Sequence, residues 1–210
     1  MYLSQLVLNP LSRQVQREIA GRYELHRTLM HAFPVQLPIG ERILFRLDSL
    51  NGELPYVLLQ SQTCPEWDKI GQNRYFVKSP QIKEFSPSFS VGQQLQFRLL
   101  ANPTIKRKFS GEEKSKRVGL LTETEQLSWL NRKAETGGFH VQSVDRTDRG
   151  LAFGRKHGKD ITHQIRLLAI QFDGILIVEE PEKLFNTLKA GIGSGKGFGF
   201  GLLSVAPHRG

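Results

Sequence analysis

The chain has 210 residues, which fits one large domain or two of about 100 each. Its 29 Lys and Arg outweigh 20 Asp and Glu, for a formal net charge of +9, and the pI is near 9.8; that excess suits a polyanionic partner such as nucleic acid and says nothing about fold. The single cysteine, Cys64, excludes an intrachain disulfide and a cysteine-rich zinc site.

The opening "MYLSQLVLNP" lacks the basic segment and cleavage site of a signal peptide. No apolar run approaches the ~20 residues that cross a bilayer, so the expectation is a cytoplasmic protein with no membrane partner. Residues 2–9 alternate and read as a strand that Pro10 ends. Ser12 is a fitting N-cap for a short helix, "RQVQREIA", which Gly21 stops. A second helix, "RYELHRTLMHAF", runs to Pro34. Residues 42–49 and 54–62 read as strands joined by a turn at Asn51-Gly52. Residues 63–93 read as irregular, and 93–105 as a further strand. The stretch 106–117, "KRKFSGEEKSKR", carries six bases against two acids and reads as a solvated linker.

The second half opens on a helix over 122–135, with Thr122 as N-cap and Glu125 three residues on. A long hairpin follows, with its tip at 154–160 and the next turn at Asp173-Gly174. "PEKLFNTLKAGI" is a helix with Pro181 at its first position, and "GFGLLSVAP" is the last strand. The fold class is therefore α+β: tandem ferredoxin-like (RRM-like) domains, antiparallel sheets with helices on one face. The expected division is 1–105, a basic linker at 106–121, and 122–210.

The tail "GIGSGKGFGFG" has glycine at 191, 193, 195, 197, 199 and 201. It is not a P-loop, because Gly197 and not Ser or Thr follows Lys196 and a helix precedes it. It is not a dinucleotide fingerprint, which runs from strand to helix. Two readings stay open. One is a plain helix stop and turn. The other is a phosphate-backbone cradle, with Gly193, Gly195 and Lys196 as its candidate contacts.

On the second helix, Tyr23 and His26 stand three residues apart and share a face, with Arg22 and Arg27 beside them. They are either half-buried packing or a phenol and an imidazole aimed at one reacting group. An imidazole titrates near neutral pH and can move a proton to or from a reacting oxygen; Arg22 and Arg27 can offset phosphate charge. His31 faces about 140° away on a regular helix. Scattered carboxylates argue against a two-metal nuclease, so neither a metal nor a small-molecule cofactor is expected. Arg132 and Lys133 are candidate phosphate contacts. The hairpin over 146–166 holds six bases, among them Arg155, Lys156 and, at its tip, Lys159; a solvated tip or an RNA-reading arm would both look like this.

"MYLSQLVLNP", "YELHRTLMHAFP", "ANPT", "EQLSWLNRK" and above all "GIGSGKGFGFGLLSVAP" together resemble the CRISPR repeat-processing endoribonucleases of the Cascade type, the CasE family. The resemblance spans nearly the whole chain. It implies a metal-independent endoribonuclease acting on CRISPR repeat RNA stem-loops, with 5′-OH and 2′,3′-cyclic phosphate ends. Other subunits of a Cascade-type complex are its implied partners. It also implies catalytic roles for Tyr23 and His26, and a groove-reading role for the 154–160 tip. The rival readings are a non-catalytic RNA-binding subunit with the same double fold, and a DNA-binding structural protein.

Overall fold

The computed structural model describes residues 1–49, 54–70, 74–108, 111, 114–157 and 162–208, with backbone alone at 155–157 and 162–164. The first unit comprises β1 (Tyr2–Val7), α1 (Arg13–Ala20), α2 (Arg22–Met30), β2 (Leu44–Asp48), β3 (Tyr56–Ser61) and β4 (Gln81–Glu84). Its antiparallel sheet has the order β2-β3-β1-β4. Alternation in β1 and β3 sends Leu6, Leu8, Val57 and Leu59 inward, onto Val15, Leu25 and Leu29 of the helices. Fully burying each such side chain contributes roughly 1.5–3 kcal/mol.

Ser12 Oγ accepts the Val15 N–H at the start of α1, and Gly21 closes it with an N–H donated to the Arg17 carbonyl. The helices are braced by Glu18, a buried carboxylate that accepts from Thr28 Oγ1 at 2.8 Å, from Gln14 Nε2 at 2.9 Å and from the Tyr75 hydroxyl. α2 ends at Met30, three residues before the expected stop; Ala32 and Phe33 close shorter turns onto Leu29 and Met30.

The second unit comprises β5 (Gln94–Ala101), β6 (Thr104–Arg107), β7 (Lys116–Gly119), α3 (Glu123–Gly137), β8 (Phe139–His157), β9 (Thr162–Val178), α4 (Pro181–Ala190) and β10 (Leu203–Pro207). Its main sheet has the order β10-β5-β9-β8. Numbered within each four-stranded sheet, both read 4-1-3-2, and with the β6–β7 hairpin set aside the second unit runs β-α-β-β-α-β. The architecture is a tandem ferredoxin-like α+β fold. In the first unit a short turn at Trp67–Lys69 stands where a second crossover helix would be.

Several expectations from the sequence are corrected. The strand expected at 93–105 breaks at Asn102-Pro103, and its first part, β5, pairs with β9 and β10. It is the first strand of the second unit, so the sheets divide before residue 94 and not at 105. The "linker" is partly ordered: β6 and β7 pair from Thr104↔Gly119 to Arg107↔Lys116. The segment read as irregular supplies β4, which pairs with β1. Asp173-Gly174 lies inside β9. A β-carbon on Gly174 would meet the Ser143 carbonyl oxygen at 2.0 Å, beside the bulge between Val141 and Ser143; this glycine admits a close backbone and makes no turn. The Asn51-Gly52 turn and Lys159 lie outside the described residues.

Buried polar groups join the units. Arg46 on β2 holds both carboxylate oxygens of Asp48 at 2.9 Å and donates to Ser204 Oγ at 2.9 Å and the Arg98 carbonyl at 3.3 Å. Gln60 donates to the Leu188 carbonyl at 2.6 Å.

Candidate active site at the junction of the two units

Leu25 and Leu29, one turn apart, seat α2 on the first core. The Glu24–Arg27 ion pair, 3.0 Å long, lies on the solvent side. Tyr23 and His26 are thereby turned toward the second unit, where α2 packs on β8 and on the short turn Lys196–Phe198. Their ring centroids are 6.3 Å apart. Tyr23 lies 5.4 Å from Phe198 and packs with Phe198, Phe200, Leu100, Ala152 and Ala169 on the face of the second sheet.

The glycine-rich segment is a closed loop whose ends meet: Ile192 N–H donates to the Gly201 carbonyl, and Gly201 N–H to the Leu100 carbonyl on β5. Ser194 pairs with Asn102 at the end of β5. The missing side chains make room for protein. A β-carbon on Gly193 would meet Trp129 at 3.0 Å, and one on Gly195 would meet Leu167 and Phe200 at 3.1 Å. Both residues have φ near +80°, where an L side chain is strained. Gly197 sits against the catalytic candidate itself: its β-carbon would lie 3.3 Å from His26 Cδ2. Behind the imidazole, the Phe45 ring lies parallel, at 5.9 Å and 4°.

Burial lowers the His26 pKa, so the imidazole rests neutral at pH 7. Its Nδ1 is buried and has no hydrogen-bond partner among the described residues. Arg22 turns inward, with its guanidinium carbon 5.6 Å over the Phe200 ring and one terminal nitrogen buried and unpaired. Burial lowers its pKa, and the charge of Asp48 opposes that. Lys196 is also held below the usual lysine range, first by burial and then by the positive charges of Arg42 and Lys133.

The structure thus brings together Arg22, Tyr23, His26, Lys196 and, through its charge, Lys133. Arg27 is exposed and paired with Glu24. His31 is exposed at the end of α2. Arg132 and Lys133 line different surfaces: Lys133 borders a cavity of about 330 Å³ with Gly193, whereas Arg132 faces His140 and Glu179. The backbones of Arg155 and Lys156 lie on β8, opposite Gln164 and His163. Among the described residues, no three His, Cys, Asp or Glu side chains are grouped to hold a metal ion, and no helix is long and apolar enough to cross a membrane. Sequence reasoning missed Phe45, Arg42, Phe198 and Phe200. The alternation of Phe with Gly in "KGFGFG" was the available signal for the last two.

Two ferredoxin-like units, with a histidine and a tyrosine from the first lodged under a glycine-rich loop of the second, define the class by fold and site. The model of a family described as CRISPR associated protein matches residues 1–207, and the chain belongs to that family. It is 41% identical to the CRISPR-associated endoribonuclease Cse3 of Thermus thermophilus, covering 99% of this chain and 100% of that protein. It is 34% identical to the CRISPR system Cascade subunit CasE of Escherichia coli, with the same coverage. A solved structure of CRISPR endoribonuclease Cse3 bound to 19 nt RNA superposes with a TM-score of 0.86 at 40% identity, covering 99% of this chain and 100% of that one.

Proposed function

We propose that this chain is a metal-independent endoribonuclease that binds and cleaves CRISPR repeat hairpins in precursor RNA, and stays with the mature RNA in a Cascade-type complex. The relatives support the class of activity and the partners: one is named an endoribonuclease, one a Cascade subunit, and one solved structure holds RNA. The observation that carries the chemistry is the placement of His26. It is a neutral imidazole at the junction, one helical turn from a phenol and against the loop that carries Lys196.

In this reading the substrate's own 2′-oxygen is the nucleophile. It attacks the adjacent phosphorus as its proton leaves, and the bond from phosphorus to the 5′-oxygen breaks as that oxygen gains a proton. The upstream product ends in a 2′,3′-cyclic phosphate and the downstream product in a 5′-OH. A neutral imidazole takes the first proton, and its charged form can return one to the leaving oxygen. Such proton transfer contributes about 10²–10⁴-fold. The Tyr23 hydroxyl donates to a phosphate oxygen or orients the 2′-OH. Lys196, with Lys133, offsets phosphate charge at the loop. Arg22, being turned inward, adds its field and not a direct contact through its buried nitrogen. Arg155, Lys156 and Lys159 serve as the stem-reading arm, and Arg132 and Arg27 as outlying phosphate contacts.

His26→Ala tests the assignment. Single-turnover cleavage of a labelled repeat hairpin should fall by about 10²-fold or more, while hairpin affinity stays within a few-fold, because the imidazole acts in the transition state. Cleavage near the wild-type rate contradicts the role. Tight binding without cleavage by the wild type would instead leave an RNA-binding subunit.

A further inference from the structure

A catalytic imidazole is ordinarily oriented by a hydrogen bond to the nitrogen that does not face the substrate. His26 has none among the described residues: its Nδ1 is buried without a partner. The terminal torsion of histidine is also broad, so its rotamer alone leaves the ring plane loosely defined. The side chains and backbone that enclose the ring are placed to fix that plane.

We propose that Phe45 and Gly197 are positioning residues that form a slot for the His26 ring, replacing the hydrogen bond that would normally orient it. The inference rests on the catalytic reading of His26. Phe45 is fully buried on β2, in the first unit's core, and lies parallel to the imidazole within 4°. At 5.9 Å between centroids the two rings are in the offset-stacking range. Gly197, from the second unit, closes the Cδ2–Nε2 edge: a β-carbon there would lie 3.3 Å from Cδ2 and 3.6 Å from Nε2. The same loop presses on Phe45, since a β-carbon on Gly199 would meet its ring at 3.0 Å. The slot therefore exists only when the loop of one unit is seated on the helix and strand of the other. Stacking holds the plane, and the glycine admits the ring edge without leaving room for it to swing.

The same enclosure lowers the His26 pKa by burying the ring. Among the charged or titratable groups of the packed elements, Tyr23 lies 6.3 Å from the ring, Arg22 is turned onto Phe200, and Lys196 precedes the Gly197 that meets the ring. Arg27 is turned away onto Glu24, and Arg46 and Asp48 on β2 bond one another. From β8, Ala152 and Gly154 face the loop's Phe198.

The test compares Phe45→Leu, which stays apolar but is smaller and not flat and so uncovers part of the ring face, with Gly197→Ala, which needs no unusual backbone and pushes on the ring edge. Each is measured by single-turnover cleavage against pH, by hairpin affinity, and by NMR titration of His26 in the free protein. In both variants the plateau rate should fall about 10- to 100-fold with affinity unchanged, as expected when a reacting group is misplaced by about 1 Å. In Phe45→Leu the His26 titration should also move up toward about 6.5. Wild-type rate and titration in both variants overturn the proposal. So does a slowed rate with an unmoved titration and a lowered melting temperature, which marks a purely structural role. If Phe45→Leu does not fold, Gly197→Ala decides by the same rate and affinity readouts. If His26→Ala itself cleaves normally, the catalytic reading falls; if His26→Ala is dead while both slot variants match wild type, only the slot falls.

Discussion

At the scale of single residues, His26 links stability to pH. Its folded pKa lies below the ordinary value of 6.5 because burial penalises the charged ring. Above that value both folded and unfolded chains hold it neutral. As the pH drops below it, the unfolded chain takes up a proton that the native state resists, so stability declines until the native ring itself charges. His26→Gln should flatten this part of the profile. Urea midpoints at a pH of about 7.5 and about 5.5 check it: the variant should lose less than the wild type on acidification. Equal losses would mean that His26 is not the buried neutral group described. That Tyr23 and His26 share a face was legible from their spacing. Phe45 was not, because a phenylalanine inside an apolar strand looks the same whether it packs against leucine or against an imidazole.

Among the elements, local signals were read where they were local. The Thr122–Glu125 capping box is present as expected, with Glu125 N–H donating to Thr122 Oγ1 and the Glu125 carboxylate accepting from the Thr122 N–H. Ser12 and Pro181 likewise begin helices as their types suggest. Gly174 misled as a turn signal, because a glycine's meaning depends on what approaches it. Gly174 admits β8, and Gly193 and Gly195 admit Trp129, Leu167 and Phe200. The loop variants should separate these roles. Gly195→Val combines a β-branched residue at φ +82° with a filled site, so stability should fall on the order of 2 kcal/mol or more, and RNA affinity with it. Lys196→Ala should leave the melting temperature nearly unchanged. Its salt dependence of binding should become shallower by roughly 0.7–0.9 of a unit if the ammonium touches one phosphate. A normal melt for Gly195→Val, or an unchanged salt slope for Lys196→Ala, would contradict the respective role.

For the whole molecule, the tandem fold was legible from element order, but the boundary was not. β5 precedes the basic hairpin β6–β7 in sequence yet hydrogen-bonds to strands far along the chain, as in Ala101↔Ile170 and Leu99↔Leu203. Such long-range pairing leaves no local trace. The site depends on this arrangement, since its histidine and its loop come from different units. Arg46 is the main polar tie between them. Arg46→Ala would take from buried Asp48 its bidentate partner and leave it Tyr56 and the charges of Arg22 and Arg98, at a cost of up to about 3–5 kcal/mol, and should slow cleavage by loosening the junction. Urea unfolding checks the first effect, and single-turnover rate at saturating RNA the second. A loss below about 1 kcal/mol, the range of an exposed pair, would mean that Arg46 does not hold the junction.

In the proposed mechanism the substrate's 2′-oxygen is the nucleophile and His26 moves its proton without a metal ion. The most direct measurement is mass spectrometry of the upstream fragment after the wild type cleaves a repeat hairpin in excess EDTA. Full cleavage is expected, with an upstream fragment lighter by one water than the linear monophosphate, the mark of a 2′,3′-cyclic phosphate. Loss of cleavage in EDTA that returns with a divalent cation, or an upstream fragment ending in a free 3′-OH, would contradict that mechanism.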